Sequence, residues 1–269
     1  MPPVLCLLGV AAAAVSAPDW GKVDQVLRSQ VGVAFPGAVA IVGDASGELH
    51  RISVGAHTFE PSAPTMQMDT MFDVASLTKV SVTTTVSMLL YQWGVLDLDA
   101  RVADAFGPTF VQGDARKANM TVEHLLLHEA GLPPDPTTGN LTAQSYCTPG
   151  FACHETTAFP PAQRGLTFSC QARVLAELSS QPLFQPPGLG YTYSDISMIT
   201  MMFLLGRLVR IHGYVEPTDL RADCASASAA GPAAAGGELV ETVDQCYFEA
   251  FARAHVFAPL AASGCCRAR

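Results

Sequence analysis

The sequence predicts an α/β fold of the α+β kind, a mostly helical body carrying a small antiparallel sheet. Three observations lead there. Two short runs rich in β-branched residues, 38–42 and 49–54, flank a turn. Two long apolar stretches follow, 77–93, which is free of Gly and Pro, and 194–212. The 269 residues are 49% apolar and only 14% charged, enough to bury a real core and too apolar for a disordered chain.

Taken in order, Trp20 to Val31 places Val23, Val26, Leu27 and Val31 on a helical stripe that Pro36-Gly37 ends. Ala38 to Val42 and Leu49 to Val54 form a hairpin around Asp44-Ala45-Ser46-Gly47. The first strand is nearly all apolar, which predicts burial on both faces. Leu77 to Trp93 reads as a helix stopped by Gly94. Thr121 is a predicted N-cap, with Glu123 in the first turn, and Gly131 and Pro133 end that short helix. Residues 134–165, rich in Pro, Thr and Gly, form an irregular insertion. Helix returns around Gln171 to Leu178, and again from Ser194 to His212 with Gly213 as C-cap. Thr200, Gly206 and Arg207 interrupt that last stretch, so it reads as a buried core helix and not a membrane span. Residues 214–246 are a low-complexity insertion, with its Ala/Ser/Gly centre at 225–237. Tyr247 to Phe257 is helical.

Composition narrows the function classes. The net charge of −9 argues against nucleic acid and against an anionic membrane surface. The eight cysteines form no CxxC and no zinc-like spacing, so no metal or other cofactor is expected. Residues 1–17 resemble a signal peptide, with an apolar run from Val4 to Val15 and a small-residue site at Val15-Ser16-Ala17. Against that, no Lys or Arg precedes the run and Pro18 follows the cut. Secretion makes Cys147, Cys153 and Cys170 disulfide candidates within one irregular region, with Cys265 and Cys266 left out. A cytosolic chain would keep free thiols. Asn119 and Asn140 begin glycosylation sequons, which matter only on the secretory route.

Chemistry concentrates at Ser76-Leu77-Thr78-Lys79. Three residues apart on a helix is one turn, so Ser76 and Lys79 share a face. At a helix N-terminus Ser76 sits where a developing negative charge is favoured. Lys79, desolvated beside it, can act as base. A bare S-x-x-K is common, and an exposed Ser and Lys on an amphipathic helix explains it equally well. Tyr193-Ser194-Asp195 lies 114 residues after Lys79, where a loop enters the apolar helix. A tyrosine there can serve as proton shuttle, or simply close the helix, with Asp195 complementing its dipole.

Together these segments resemble the serine β-lactamase-related superfamily: class C β-lactamases, D-Ala-D-Ala peptidases and related esterases. Pro36 to Val39 resembles the family's opening strand. Asp69 to Phe72 precedes the serine as it does there, and Gly94 to Asp99 is similar to the turn after the nucleophile helix. Leu126 to Pro133 is similar to LLTHTSGLP, Pro187-Gly188 before Tyr193-Ser194-Asp195 to PG-x-x-x-x-YS[ND], and Phe257 to Leu260 to F-x-PL. The resemblance implies that Ser76 is acylated, that Lys79 activates it, and that Tyr193 is general base and leaving-group acid. Asp195 stands where many relatives have Asn and contacts substrate. As an acid it is expected to hold Lys79 protonated and move base duty to Tyr193. His128 is structural in that pattern. The implied substrate is a small ester, amide or peptide, handled without cofactor, nucleic acid or membrane insertion.

The family's third motif, K-[ST]-G or H-x-G, has no counterpart after Leu260, and 261–269 reads as an aberrant tail. The expectation is therefore one β-lactamase-related domain over 18–260, lacking its C-terminal strands and hence an oxyanion donor whose loss costs about 10²–10³ in rate. Its hairpin is expected to be less secure than its helices. The alternative readings are an inactive or binding remnant that keeps the helical part, and a helical structural protein with a fortuitous S-x-x-K.

Overall fold

The computed structural model describes residues 18–135, 175, 178–220 and 244–260. The signal-like segment, the sequon at Asn140, cysteines 147, 153 and 170, the Ala/Ser/Gly tract and the tail lie outside them. The chain divides into two compact units, Met1–Asp73 and Val74–Arg269.

In the first unit, helix α1 (Trp20–Gln30) begins at Asp19, whose side chain accepts the Lys22 N–H. Strands β1 (Gly37–Asp44) and β2 (Gly47–Gly55) pair antiparallel, with a bulge between Val42 and Gly43. Asp44 closes the turn by accepting the Ser46 N–H at 2.7 Å. Helix α1 packs on β2: Trp20 stacks on His50, whose Nε2 lies 2.7 Å from Asp24 Oδ1. The predicted burial of β1 on both faces is not met. No β1 residue is buried, and Ile41 is 60% exposed. Among the described residues the sheet has only these two strands, so β1 has β2 alone beside it.

The second unit holds the large core. Its first helix opens with a wide π-helical turn, Lys79–Thr84, and continues as α2 (Thr85–Gln92). The π turn was not predicted. Two hydroxyls bond five residues back in it, Thr84 to the Lys79 carbonyl at 2.9 Å and Thr85 to the Val80 carbonyl at 3.3 Å. Helix α3 (Val102–Phe106) and the short turn Ala115–Asn119 follow. Helix α4 (Val122–Leu126) starts at the predicted cap, Thr121, whose hydroxyl accepts the His124 N–H while His124 Nδ1 accepts the Thr121 N–H. It ends earlier than predicted. Leu127 closes it, and His128 turns the chain at φ 58° before Gly131 does so at φ 74°.

Helix α5 (Asp195–Ile211) is the centre of this unit, capped by Ser194. Ile196, Met201, Phe203, Leu205 and Val209 are buried on it, each fully buried side chain removing apolar surface worth about 1.5–3 kcal/mol. Helix α6 (Asp244–Ala252) crosses it at Gly206, where a Cβ would lie 1.9 Å from the Asp244 carbonyl oxygen. The buried Asp244 carboxylate pairs with Arg207 Nε at 3.0 Å and Arg210 Nε at 2.8 Å. Thus two of the three expected interruptions in this helix are its contacts with α6. Cys246, buried on α6, is disulfide-bonded. No described helix is long and apolar enough to cross a membrane.

Candidate active site

The serine turn precedes the π turn. Ala75 adopts φ 43°, a left-handed conformation unusual for a residue with a Cβ. Successive three-residue bonds then follow: Leu77 N–H to the Val74 carbonyl, Thr78 to Ala75 and Lys79 to Ser76, at 2.9 to 3.0 Å. This tight turn carries Ser76 and Lys79 on one side, as their spacing predicts. Lys79 Nζ lies 2.9 Å from Ser76 Oγ.

Tyr193 and Asp195 reach the same place from the entry to α5. The Tyr193 ring centre lies 5.1 Å from Lys79 Nζ, which sets its phenol beside the Ser76–Lys79 pair. Asp195 Oδ1 lies 2.6 Å from Lys79 Nζ. All four residues named from the sequence therefore meet at one ammonium group. Ser76 is exposed and the Lys79 side chain is 16% exposed, so a substrate can reach the hydroxyl while the amine is largely shielded.

Electrostatics divide the protons unequally. Burial pushes the Lys79 amine down, but Asp195 and Tyr193 outweigh it and hold the amine above its ordinary range. The Tyr193 phenol is pulled below its usual range by its hydrogen bonds to Ser76 and Lys79 and by the Lys79 charge. The resting arrangement is an ammonium at Lys79 beside a phenol poised to lose its proton.

Backbone lacing fixes where Tyr193 stands. Segment 184–195 runs beside 128–134. The Phe184 N–H donates to the Gly131 carbonyl, Gly188 to Glu129, Thr192 to His128 and Asp195 to Pro134, at 2.8 to 3.1 Å. Gly131 is required where the two segments meet, since a Cβ there would lie 2.1 Å from the Gln185 carbonyl oxygen. The Ser194 hydroxyl donates to the Pro133 carbonyl at 2.7 Å and accepts the Ser197 N–H at 3.1 Å. His128 Nδ1 accepts the Ser194 N–H at 3.1 Å, and its ring packs 4.7 Å from that of Tyr193. Sequence reading gives His128 only a general structural place. Nothing in the residue order signals its bond to Ser194. Among the described residues no cluster of three His, Cys, Asp or Glu side chains could hold a metal ion.

A sequence model of the beta-lactamase family matches residues 23–212. The N-acetylmuramyl-L-alanine amidase of Bacillus subtilis strain 168 is 26% identical over 213 residues, 75% of this chain and 44% of the relative. Two crystal structures of the D-amino acid amidase of Ochrobactrum anthropi SV3 share the fold. The complex with D-phenylalanine aligns with TM-score 0.55 and 19% identity over 90% of this chain and 49% of its own. The complex with L-phenylalanine aligns with TM-score 0.50 and 20% identity over 72% and 45%. The chain thus spans less than half the length of these relatives.

Proposed function

The chain belongs to the beta-lactamase family, and we propose that it is a serine hydrolase acting through an acyl-enzyme on a small amide or ester. The observation that carries this is the 2.9 Å approach of Lys79 Nζ to Ser76 Oγ, with the Tyr193 ring centred 5.1 Å from the same Nζ. Tyr193, as phenolate, takes the Ser76 proton while Oγ attacks the carbonyl carbon. Lys79 stays protonated, and its charge stabilises the phenolate and the oxyanion nearby. The tetrahedral adduct collapses when Tyr193 returns that proton to the leaving nitrogen or oxygen. Tyr193 then takes a proton from a water that attacks the Ser76 ester, and returns it to Ser76 Oγ as the acid is freed. Asp195 contacts substrate and keeps Lys79 charged. The amidases named above make an amide the first substrate to try.

One observation favours a second reading, a remnant with little or no turnover: β1 and β2 are the whole sheet among the described residues. On that reading no strand among the described residues adds an oxyanion N–H to that of Ser76. Amide and nitrophenyl-ester derivatives of phenylalanine, in both configurations, separate the two. The first reading predicts multiple turnovers, abolished by Ser76→Ala. A rate equal for the two proteins would overturn it. The disulfide at Cys246 and the exposed Asn119 sequon support passage through the secretory route. A glycan on Asn119 of the native protein is the expected mark.

A further inference from the structure

Tyr193 is held by one imidazole that no step above uses. His128 occupies a left-handed conformation, φ 58°, which is costly for a residue with a Cβ and persists only where neighbours enforce it. Its carbonyl accepts the Thr192 N–H at 2.8 Å and its Nδ1 accepts the Ser194 N–H at 3.1 Å. These bonds fall on the two residues flanking Tyr193. The ring lies 4.7 Å from the Tyr193 ring and edge-on to Tyr191 at 5.9 Å. An Nδ1 that accepts from an amide must be unprotonated, so the neutral ring carries its hydrogen on Nε2.

We infer that His128 is a positioning residue with a protonation switch: neutral, it clamps Tyr193 against Ser76 and Lys79; protonated, it presents an N–H to the Ser194 N–H and lets Tyr193 go. The inference rests on the serine-hydrolase reading for its effect on activity, but not for its effect on structure.

The charged and titratable groups facing the ring set where the switch lies. Burial and the Lys79 charge disfavour the imidazolium, while Asp195 favours it, and the net effect puts His128 below its ordinary value. Tyr191, Tyr193 and the neighbouring Glu129 complete its surroundings. The clamp is therefore closed at neutral pH and opens below the ordinary range of an imidazole.

Two variants separate the clamp from a merely structural histidine. Asn tolerates the left-handed backbone, and its Oδ1 can replace Nδ1 as acceptor without titrating. Gly accepts the backbone but offers no acceptor. The rate of labelling by a fluorophosphonate is followed from pH 4.5 to 8. The native chain is expected to lose labelling in a step below pH 6.5. His128→Asn should lose the step and keep only the gradual fall with pH that protonation of Tyr193 imposes, whereas His128→Gly should label about three- to tenfold more slowly throughout, the worth of one hydrogen bond. Amide hydrogen exchange at Ser194, measured without any probe, should accelerate over the same step in the native chain and not in His128→Asn. A step unchanged in His128→Asn, or Ser194 exchange indifferent to it, overturns the switch. If nothing labels while Ser194 exchange behaves as stated, the clamp stands and the hydrolase reading falls.

Discussion

Replacing Asp195 by Asn tests how protons are shared between Lys79 and Tyr193. The substitution keeps the shape and removes one charge, 2.6 Å from the Lys79 ammonium. Two unit charges at that distance interact by about 1.6 kcal/mol when screened as in water, and more in a less polar setting. Asp195 is 37% exposed, so screening is strong and the pair stays near the lower figure. About 1–2 kcal/mol corresponds to roughly one pKa unit on Lys79. The direction follows from Asp195 raising Lys79, so its loss lowers the amine. In our mechanism Lys79 must be charged, and acylation falls as pH rises through its pKa. Asp195→Asn should therefore move that falling limb down by about one unit and leave the rate at pH 7 within about threefold. The assay is the second-order rate of acylation from pH 6 to 11. A rate that instead climbs through the Lys79 pKa, with Asp195→Asn shifting the climb downward, would show that neutral Lys79 is the base.

The remaining predictions concern the framework. Gly206→Ala forces a methyl group against the Asp244 carbonyl and should cost about 1–3 kcal/mol, read as a lower denaturant midpoint. Gly131→Ala adds both strain at φ 74° and a clash with Gln185; it should cost at least as much and slow acylation, because the clash lies on the segment that carries Tyr193. Lys117 is fully buried, with its ammonium donating to the Ser179 carbonyl, and burial pulls its pKa down to about 8 from 10.5. Between those values the unfolded chain binds more protons than the folded one. Stability should therefore rise with pH from about 8 to 10.5, by about 3 kcal/mol at most. Lys117→Met should remove that rise, and denaturant titrations of both proteins across the interval check it.

The hairpin, the Thr121 cap and the Ser76–Lys79 pairing were legible because each rests on local chemistry. The Asp44 turn and Thr121 announce themselves by side chains that bond to nearby backbone, whereas the Ser194 cap was not foreseen. The Ser76–Lys79 pairing follows from spacing alone, whereas the arrival of Tyr193 and Asp195 came from a resemblance of segments. What could not be read depends on contacts distant in sequence. Arg207 and Gly206 look like defects in an apolar helix until Asp244 is seen against them. His128 makes a left-handed exit from α4 ahead of Gly131, and the bonds of Thr192 and Ser194 hold it there. The π turn at Lys79–Thr84 has no periodic signature that a short apolar stretch could reveal. The composition of β1 promised two buried faces, but burial depends on neighbours that composition does not specify.

The central claim is that Ser76 is a nucleophile. The native protein is incubated with a fluorophosphonate or a penicillin, digested, and mapped by mass spectrometry. One adduct of the probe's acyl or phosphonyl mass is expected on the peptide containing Ser76, lost in Ser76→Ala and strongly slowed in Lys79→Ala. An adduct on another serine, or labelling that persists in Ser76→Ala, would contradict it.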